Sequence, residues 1–400
     1  MSRAAAAVRI DETAPARDER RASPGSAVNF ELITARKDFD RLGPEWDALF
    51  VRAGLDHQVF QTFNWTWHWC NHYLSNTDNE LSIVTARRDG RLIMVWPLIT
   101  EHTAGLRILT WMGEPVSQYG DVVIDDIPDA TDVLRAAWSF AKASAPADLV
   151  WLQRVREDAR IAPLIRELGG TAFNERIAPY QIADAVADAE ESTARARKKR
   201  RALAKRRNKL GESAFIHESD SDAARQAALQ AIVWKSQQLR ERGIVSTAID
   251  HRFSAFFADA TSGEHPCGCR TVLLTSDGAP IAGGIFVACK ERMVAHVIGY
   301  TTGFEKASPG ILLLEHTMLE ALDDGFNCVD LLPPGDAYKA RLTSASINVA
   351  DWAIPLSLKG RAYAHGYLGV VRPGMKSAIA LMPDIARKRL AQFFLDRKSD

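Results

Sequence analysis

The sequence predicts an α/β protein built from two halves of one type, each a mixed, mostly antiparallel sheet covered by helices. Three observations carry that prediction. Strand-like apolar runs alternate with segments of helical period from residue 28 to residue 358, the pattern of sheets with helices on their faces. Asp89-Gly90 and Asp277-Gly278 each lie between two strand-like runs, at equivalent places in the two halves, and Asp-Gly suits a tight hairpin. His296 to Lys339 reads as strand, loop, apolar helix and strand in direct succession, which presents a helix N-terminus beside a strand end.

Composition narrows the classes of function. Four hundred residues allow two or three domains. Fifty basic side chains balance fifty acidic ones, so nothing pulls the whole molecule towards nucleic acid, and no DNA partner is expected. The five cysteines, Cys70, Cys267, Cys269, Cys289 and Cys328, are odd in number and scattered, which suits a reducing compartment better than a disulfide framework. Cys267-Gly268-Cys269 is too closely spaced and lacks a second pair, so no metal is expected. No apolar run approaches the roughly 20 residues needed to span a bilayer, and residues 1–27 contain no apolar signal core. A cytoplasmic protein with a disordered tail over residues 1–27 is expected.

In chain order, residues 29–34 read as a strand and 37–53 as a helix, with Phe39, Leu42, Trp46 and Leu49 at helical spacing. Asn64 is a good N-cap for a helix carrying Trp65, Trp67, Trp69 and Tyr73. Trp65 and Trp69 lie four apart on one face, which reads first as core packing and second as an aromatic wall for a small-molecule acceptor. Residues 80–87 and 91–100 form a hairpin, and 106–112 a further strand. Gly113 to Asp121 then carries Glu114, Ser117, Gln118, Tyr119 and Asp121 in a connecting segment, where such groups either bind ligand or meet solvent. Helix 129–144, strand 148–153, helix 157–168 and strand 176–183 complete a first domain over 28–183.

A linker helix over 184–212 follows. From Arg195 to Lys209, ten of fifteen residues are Lys or Arg, with Glu190 and Glu191 upstream, so the charge order suits a helix dipole. This run is either a solvated linker or a face for an anionic partner: coenzyme A phosphates, a carrier protein, tRNA or lipid head groups. The second domain, 213–358, repeats the first: strand 214–217, helices 223–240 and 250–261, strands 269–274 and 280–289 about Asp277-Gly278, and strand 292–300. Gly283 and Gly284 mark a bulge or a close ligand approach. Within the tail, 359–400, Pro383 to Arg397 reads as an amphipathic helix packed on the domain or touching a membrane surface.

The stretch His296 to Lys339 carries the chemistry. Pro309 suits a first helical position and Ser308 the N-cap before it. The backbone amides from Ser308 through Pro309, Gly310 and Ile311 to Leu312 therefore face an anion such as a pyrophosphate. Gly310 leaves room for a ligand to approach the backbone.

The order strand, anion-binding loop, helix, strand, then Tyr338, resembles the coenzyme A half of a GNAT N-acyltransferase. Ser308-Pro309-Gly310 with Tyr338-Lys339 resembles the GNAT-type acetyltransferases of the cellulose-biosynthesis-associated (CelD/BcsL-like) family, relatives of the Fem peptidyltransferases. The family's Arg/Gln-x-x-Gly-x-Gly/Ala loop is matched only by Lys306 and Gly310, at altered spacing. The resemblance implies two tandem GNAT-like (acyl-CoA N-acyltransferase) domains, with acetyl-CoA or a longer acyl-CoA as co-substrate. It implies splayed strands holding the thioester, a backbone donor between Val297 and Gly299, and Tyr338 as the acid for the leaving thiolate. Lys339 then serves as anion ligand or lowers the tyrosine pKa, and Asp336 is the base preferred over His296, His316 and Asp330. A lid anchored by Tyr338 and Lys339 is the structural alternative. On the acceptor side the resemblance points to Gln61, within Phe60-Gln61-Thr62, and to Tyr119 and Asp121, joined by Trp65 and Gln118. The implied reaction is acyl transfer to an amine or hydroxyl of a cell-envelope or polysaccharide-related acceptor. A Fem-like transfer from aminoacyl-tRNA and a non-catalytic role in an exopolysaccharide system are the alternatives.

Overall fold

The computed structural model describes residues 27–74, 79–183, 189–218, 220–244, 250–262 and 267–382. The expected N-terminal tail, apart from Ala27, and the segment Pro383 to Arg397 lie outside the described residues. The first half runs β1 (Val28–Ile33), α1 (Arg36–Arg41), α2 (Gly43–Ala53), α3 (Phe63–Trp69), β2 (Glu80–Leu81), β3 (Ile83–Arg88), β4 (Arg91–Trp96), β5 (Leu98–Thr103), β6 (Leu106–Trp111), β7 (Val123–Ile124), α4 (Ala130–Ser144), β8 (Leu149–Arg156), α5 (Ala162–Glu167) and β9 (Thr171–Ile182). Helix α6 (Ala189–Arg207) leads to β10 (Ser213–Glu218), α7 (Ser221–Glu241), α8 (His251–Ser262), β11 (Cys269–Ser276), β12 (Ala279–Cys289), β13 (Arg292–Tyr300), α9 (Pro309–Asp323), β14 (Cys328–Asp330), α10 (Ala337–Leu342) and β15 (Ala345–Pro355). After β15 come α11 (Leu358–Ala362), a wider helical turn (Tyr363–Val371) and α12 (Arg372–Leu381).

Three sequence expectations differ in detail. The helix expected over 37–53 is two, because Pro44 opens α2 in its first turn, where its missing N–H costs nothing. The strand expected over 91–100 is broken at Pro97 into β4 and β5, which lie in different sheets. The cap of α3 is Thr62, whose hydroxyl accepts from the Trp65 N–H, not Asn64.

Among the described residues the strands form a four-stranded sheet, β1-β3-β4-β7, and an eleven-stranded sheet, β10-β11-β12-β13-β14-β9-β15-β8-β6-β5-β2. The two hairpins share one bend geometry: Asp89 and Gly90 have φ of 51° and 79°, Asp277 and Gly278 have 50° and 79°. Positive φ at both central residues defines the turn that matches strand twist. The halves also share a parallel pair bridged by one helix. Strands β6 and β8 pair from Ile108↔Leu149 to Thr110↔Trp151 around α4, and β13 and β14 pair from Arg292↔Cys328 to Val294↔Asp330 around α9.

The halves exchange strands at their junction. Strand β9 pairs antiparallel with β14, and β15 lies antiparallel between β8 and β9. One continuous sheet therefore crosses the molecule, with β15 completing the sheet of the first half.

Candidate functional site

The site grows from a divergence of two strands. Strands β13 and β14 stay paired for three residues, ending at Val294↔Asp330. Strand β13 continues to Tyr300 alongside β12, so its other edge is open backbone beyond that point. A register shift opposite Ile285 and Phe286 leaves His296 as an extra residue on β13, and such a bulge bends the strand. The expected special role of Gly283 and Gly284 is one of packing: a Cβ at Gly283 would touch Ala231 of α7, and one at Gly284 would strike Phe286.

Asp330 fixes the end of β14. It is wholly buried, accepts from the Tyr119 hydroxyl at 2.9 Å and the Leu332 N–H at 2.9 Å, and pairs with Arg156 at 3.3 Å and Arg292 at 3.2 Å. Arg156 is held in turn by Asp158, and Arg292 by Asp56. Burial alone would raise the Asp56 pKa, but the His57 and Arg292 interactions outweigh it and hold the carboxyl near 2. With both oxygens engaged in this lattice, Asp330 is a strut, and the base expectation does not favour it.

Past Asp330 the chain turns through Leu332 at φ 61° and enters α10. Here Asp336, Tyr338 and Lys339 gather as the sequence suggests, though on a short helix. Lys339 is mostly buried, donates to the Leu332 carbonyl at 2.9 Å, and is held down to a pKa of about 8, chiefly by desolvation. Asp336 and Asp330 act the other way on it, and Lys235 of α7 adds to the lowering. Tyr338 is half-buried, and desolvation, then Asp336 and Tyr300, raise its pKa, so the phenol keeps its proton. Asp336 is exposed at the N-cap of α10 with no side-chain cap bond.

The α9 start sits beside this cluster. Ser308 is in the left-handed conformation at φ 52° and precedes Pro309. The amides of Ser308, Ile311 and Leu312 are bonded within the turn, to the carbonyls of Glu305, Ser308 and Ser308, and Pro309 has no N–H. The Gly310 N–H is the one left of the five expected for an anion. Gly310 itself lies against the strand, since a Cβ there would stand 2.6 Å from the Tyr300 ring; its smallness serves helix–strand packing, which corrects the expectation of free space. In the loop, Glu305 accepts the Gly303 N–H at 2.8 Å. The Lys306 carbonyl accepts from Lys209 at 3.0 Å. Val297 is buried, and Gly299 lies under α7, where a Cβ would come 2.1 Å from the Ala231 carbonyl oxygen.

The expected acceptor residues lie elsewhere and are interior. Trp65 is fully buried and donates to Ser117; Gln61 is buried and donates to the Tyr119 carbonyl. Asp121 is buried, accepting from Gln58 and from the Val122, Arg160 and Ile161 amides. Gln118 is partly exposed. Gly120 donates to the Arg154 carbonyl of β8, and a Cβ on it would strike the Trp111 ring of β6. The segment therefore fills, in the first half, the gap between strand ends that stays open between β13 and β14. Its Tyr119 reaches across to Asp330, and its Val116 carbonyl meets His296 Nε2 at 2.7 Å. These side chains join the halves, and Gln61, Trp65, Tyr119 and Asp121 are all buried. His296, enclosed by Phe60, Trp65 and Phe257, is pushed by burial to a pKa of about 4 and stays neutral.

Two expectations outside this cluster are also located. Helix α6 lies on α9, with Arg200 paired to Asp323 and Arg206 to Glu315, while Arg197, Lys198, Arg201 and Lys205 are exposed. Against the expectation of no metal, His217, His316 and Glu320 bring three ligand-type atoms within 4.8 Å of one another. His316 and Glu320 lie about two and three turns along α9 from its N-terminus and His217 is on β10; Glu320 is bonded to His217, and Arg207 and Arg270 act on the group, cations that oppose a metal ion. Sequence reading missed Lys235, Tyr300 and Glu305. Lys235 had a signal: a cation within Trp234-Lys235-Ser236, on a helix face otherwise buried.

Comparison with known proteins bears on the fold. Residues 196–340 match the family described as Acetyltransferase (GNAT) domain. No curated protein matches the chain in sequence. The crystal structure of FemX is similar at a TM-score of 0.57 and 14% identity, covering 84% of this chain and 99% of that one. A conserved protein of unknown function from Bacteroides thetaiotaomicron VPI-5482 is similar at a TM-score of 0.50 and 11% identity, covering 82% and 99%. At these identities the likeness is one of fold, and the CelD/BcsL-like assignment has no separate support. Among the described residues, no helix is long and apolar enough to cross a membrane.

Proposed function

We propose that the C-terminal half transfers an acyl group from acyl-CoA to an amine of a cell-envelope or polysaccharide-related acceptor. The observation that carries this reading is the divergence of β13 and β14 beyond Val294↔Asp330, with the desolvated Lys339 and the protonated Tyr338 at its mouth. A thioester lying in the gap meets the open backbone edge of β13 near Val297 to Gly299, whose N–H groups polarise the carbonyl. The acceptor nitrogen attacks that carbon, the C–S bond breaks, and the Tyr338 phenol gives its proton to the departing sulfur. The surplus proton on nitrogen passes to solvent or to the exposed Asp336 carboxylate. Lys339, still charged below about pH 8, stabilises the oxyanion or the donor's phosphates in a site where little water screens it.

At the α9 start the Ser308, Ile311 and Leu312 amides are bonded within the turn, which leaves the donor's pyrophosphate the Gly310 N–H of the five positions expected to hold it. That obstacle favours a second reading, with aminoacyl-tRNA as donor, because the exposed cations of α6 lie next to the same loop through the Lys209 to Lys306 contact. Calorimetric titration with acetyl-CoA and with aminoacyl-tRNA separates the two readings. Micromolar acetyl-CoA binding that Lys339→Met weakens supports the first. Binding of only the tRNA, with a steep salt dependence, supports the second. Binding of neither sinks both.

A further inference from the structure

We propose that the helical segment from α11 to α12 is a docking surface for an anionic lipid bilayer, held at the interface without crossing it. One side of this segment faces the sheet, where Ala364 and Leu368 are buried with Trp151 and Phe173. The rest of the segment leaves apolar side chains open to solvent. Tyr367 is 39% exposed, Val370 68%, Val371 48% and Met375 54%, four within nine residues. Leu358 and Leu381, at the two ends of the segment, are 81% and 86% exposed. Isolated exposed apolar residues are ordinary, but six on one helical segment mark an interaction surface.

Charge identifies what covers it. From Trp352 to Pro383 the sequence contains Lys359, Arg361, Arg372 and Lys376 and no Asp or Glu, in a chain with fifty acidic residues in four hundred. Lys359 and Arg361 are exposed and Arg372 is partly exposed, so the segment itself carries charge of one sign, with Asp148 near Lys359 and Glu101 near Tyr363 as its acidic neighbours. Two copies meeting through this face would bring like charges together. An anionic leaflet instead receives the apolar side chains below its head groups and pairs the cations with phosphates. Tyr367 has the amphipathic ring that favours this depth.

The test is co-sedimentation of the full chain with vesicles of phosphatidylglycerol and phosphatidylcholine in equal parts, beside vesicles of phosphatidylcholine alone. The expected result is binding to the anionic vesicles, weaker in high salt, and little to the neutral ones. Val370→Glu with Met375→Glu abolishes it, and Lys359→Glu with Arg361→Glu reduces it by about fivefold per reversed charge. All these positions are exposed, so unchanged thermal unfolding is expected and confirms folded variants. A wild-type chain that stays in the supernatant overturns the proposal, as does binding unaffected by the Val370 and Met375 changes. Sedimentation showing a dimer that these changes split into monomers would assign the face to a second copy instead.

Discussion

Asp330, at the end of the last paired turn of β14, accepts the hydroxyl proton of Tyr119, 211 residues earlier in the chain, at 2.9 Å. The bond fixes the point where the strands diverge to the segment that closes the corresponding gap of the first half. Replacing Asp330 with Ala leaves Arg156 and Arg292 buried and short of a partner, which costs about 3–5 kcal/mol. Urea unfolding measures that loss. A change below 1 kcal/mol would show that the lattice is not a strut.

Lys339 is expected to trade stability for activity. Folded, it loses its proton near pH 8, against the usual 10.5 when unfolded. Between those values the unfolded chain holds more protons, so stability rises with pH there, and below pH 8 the buried cation carries its full desolvation cost. Lys339→Met should therefore be as stable as the natural chain or more so at pH 7, while acyl transfer falls by about 100- to 1000-fold. On the proposed reaction, the rate of the natural chain should lose the contribution of the cation above about pH 8. Equal losses of stability and activity would mark Lys339 as structural.

Glu305 accepts the Gly303 N–H in the loop that leads to α9, and its carboxylate would repel a donor phosphate bound at that helix start. Glu305→Gln keeps a hydrogen-bonding group but removes the repulsion, so acetyl-CoA should bind about two- to fivefold more tightly. Weaker binding in this variant would place the donor's phosphates away from the loop.

Gly299 sets the approach of α7 to β13. A Cβ there meets backbone, the Ala231 oxygen at 2.1 Å, which cannot rotate aside as a side chain can. Gly299→Ala is expected to cost about 1–3 kcal/mol and to weaken donor binding together with stability, read by thermal melts and calorimetry on one sample.

His296 makes the fold acid-sensitive. Its pKa is near 4 folded and about 6.5 in the unfolded chain, so the unfolded state takes up the extra proton between those values. The stability from this group is complete above pH 6.5 and falls as the pH drops through the window, by at most about 1.4 kcal/mol per pH unit. A His296→Gln variant should flatten this part of the stability profile.

The hairpins, the strand–loop–helix–strand unit and the gathering of Asp336, Tyr338 and Lys339 were legible because each depends on neighbours in sequence. Asp-Gly dictates its own turn, and Pro309 its own helix start. The exchange of β9 and β15 was not legible, since strand pairing depends on partners more than a hundred residues away. Trp65 and Tyr119 look alike whether they line a cleft or a core, and only the packing of Ser117 and Asp330 against them decides for the interior. Glu305 reads as one more loop carboxylate until its bond to Gly303 is seen.

Hydrogen exchange of the full chain with and without acetyl-CoA tests the central claim most directly, because it locates binding as well as detecting it. The account predicts slowed exchange confined to residues 297–312 and to α10 around Tyr338 and Lys339. Protection elsewhere, or none at saturating acetyl-CoA, would contradict an acyl-CoA site between β13 and β14.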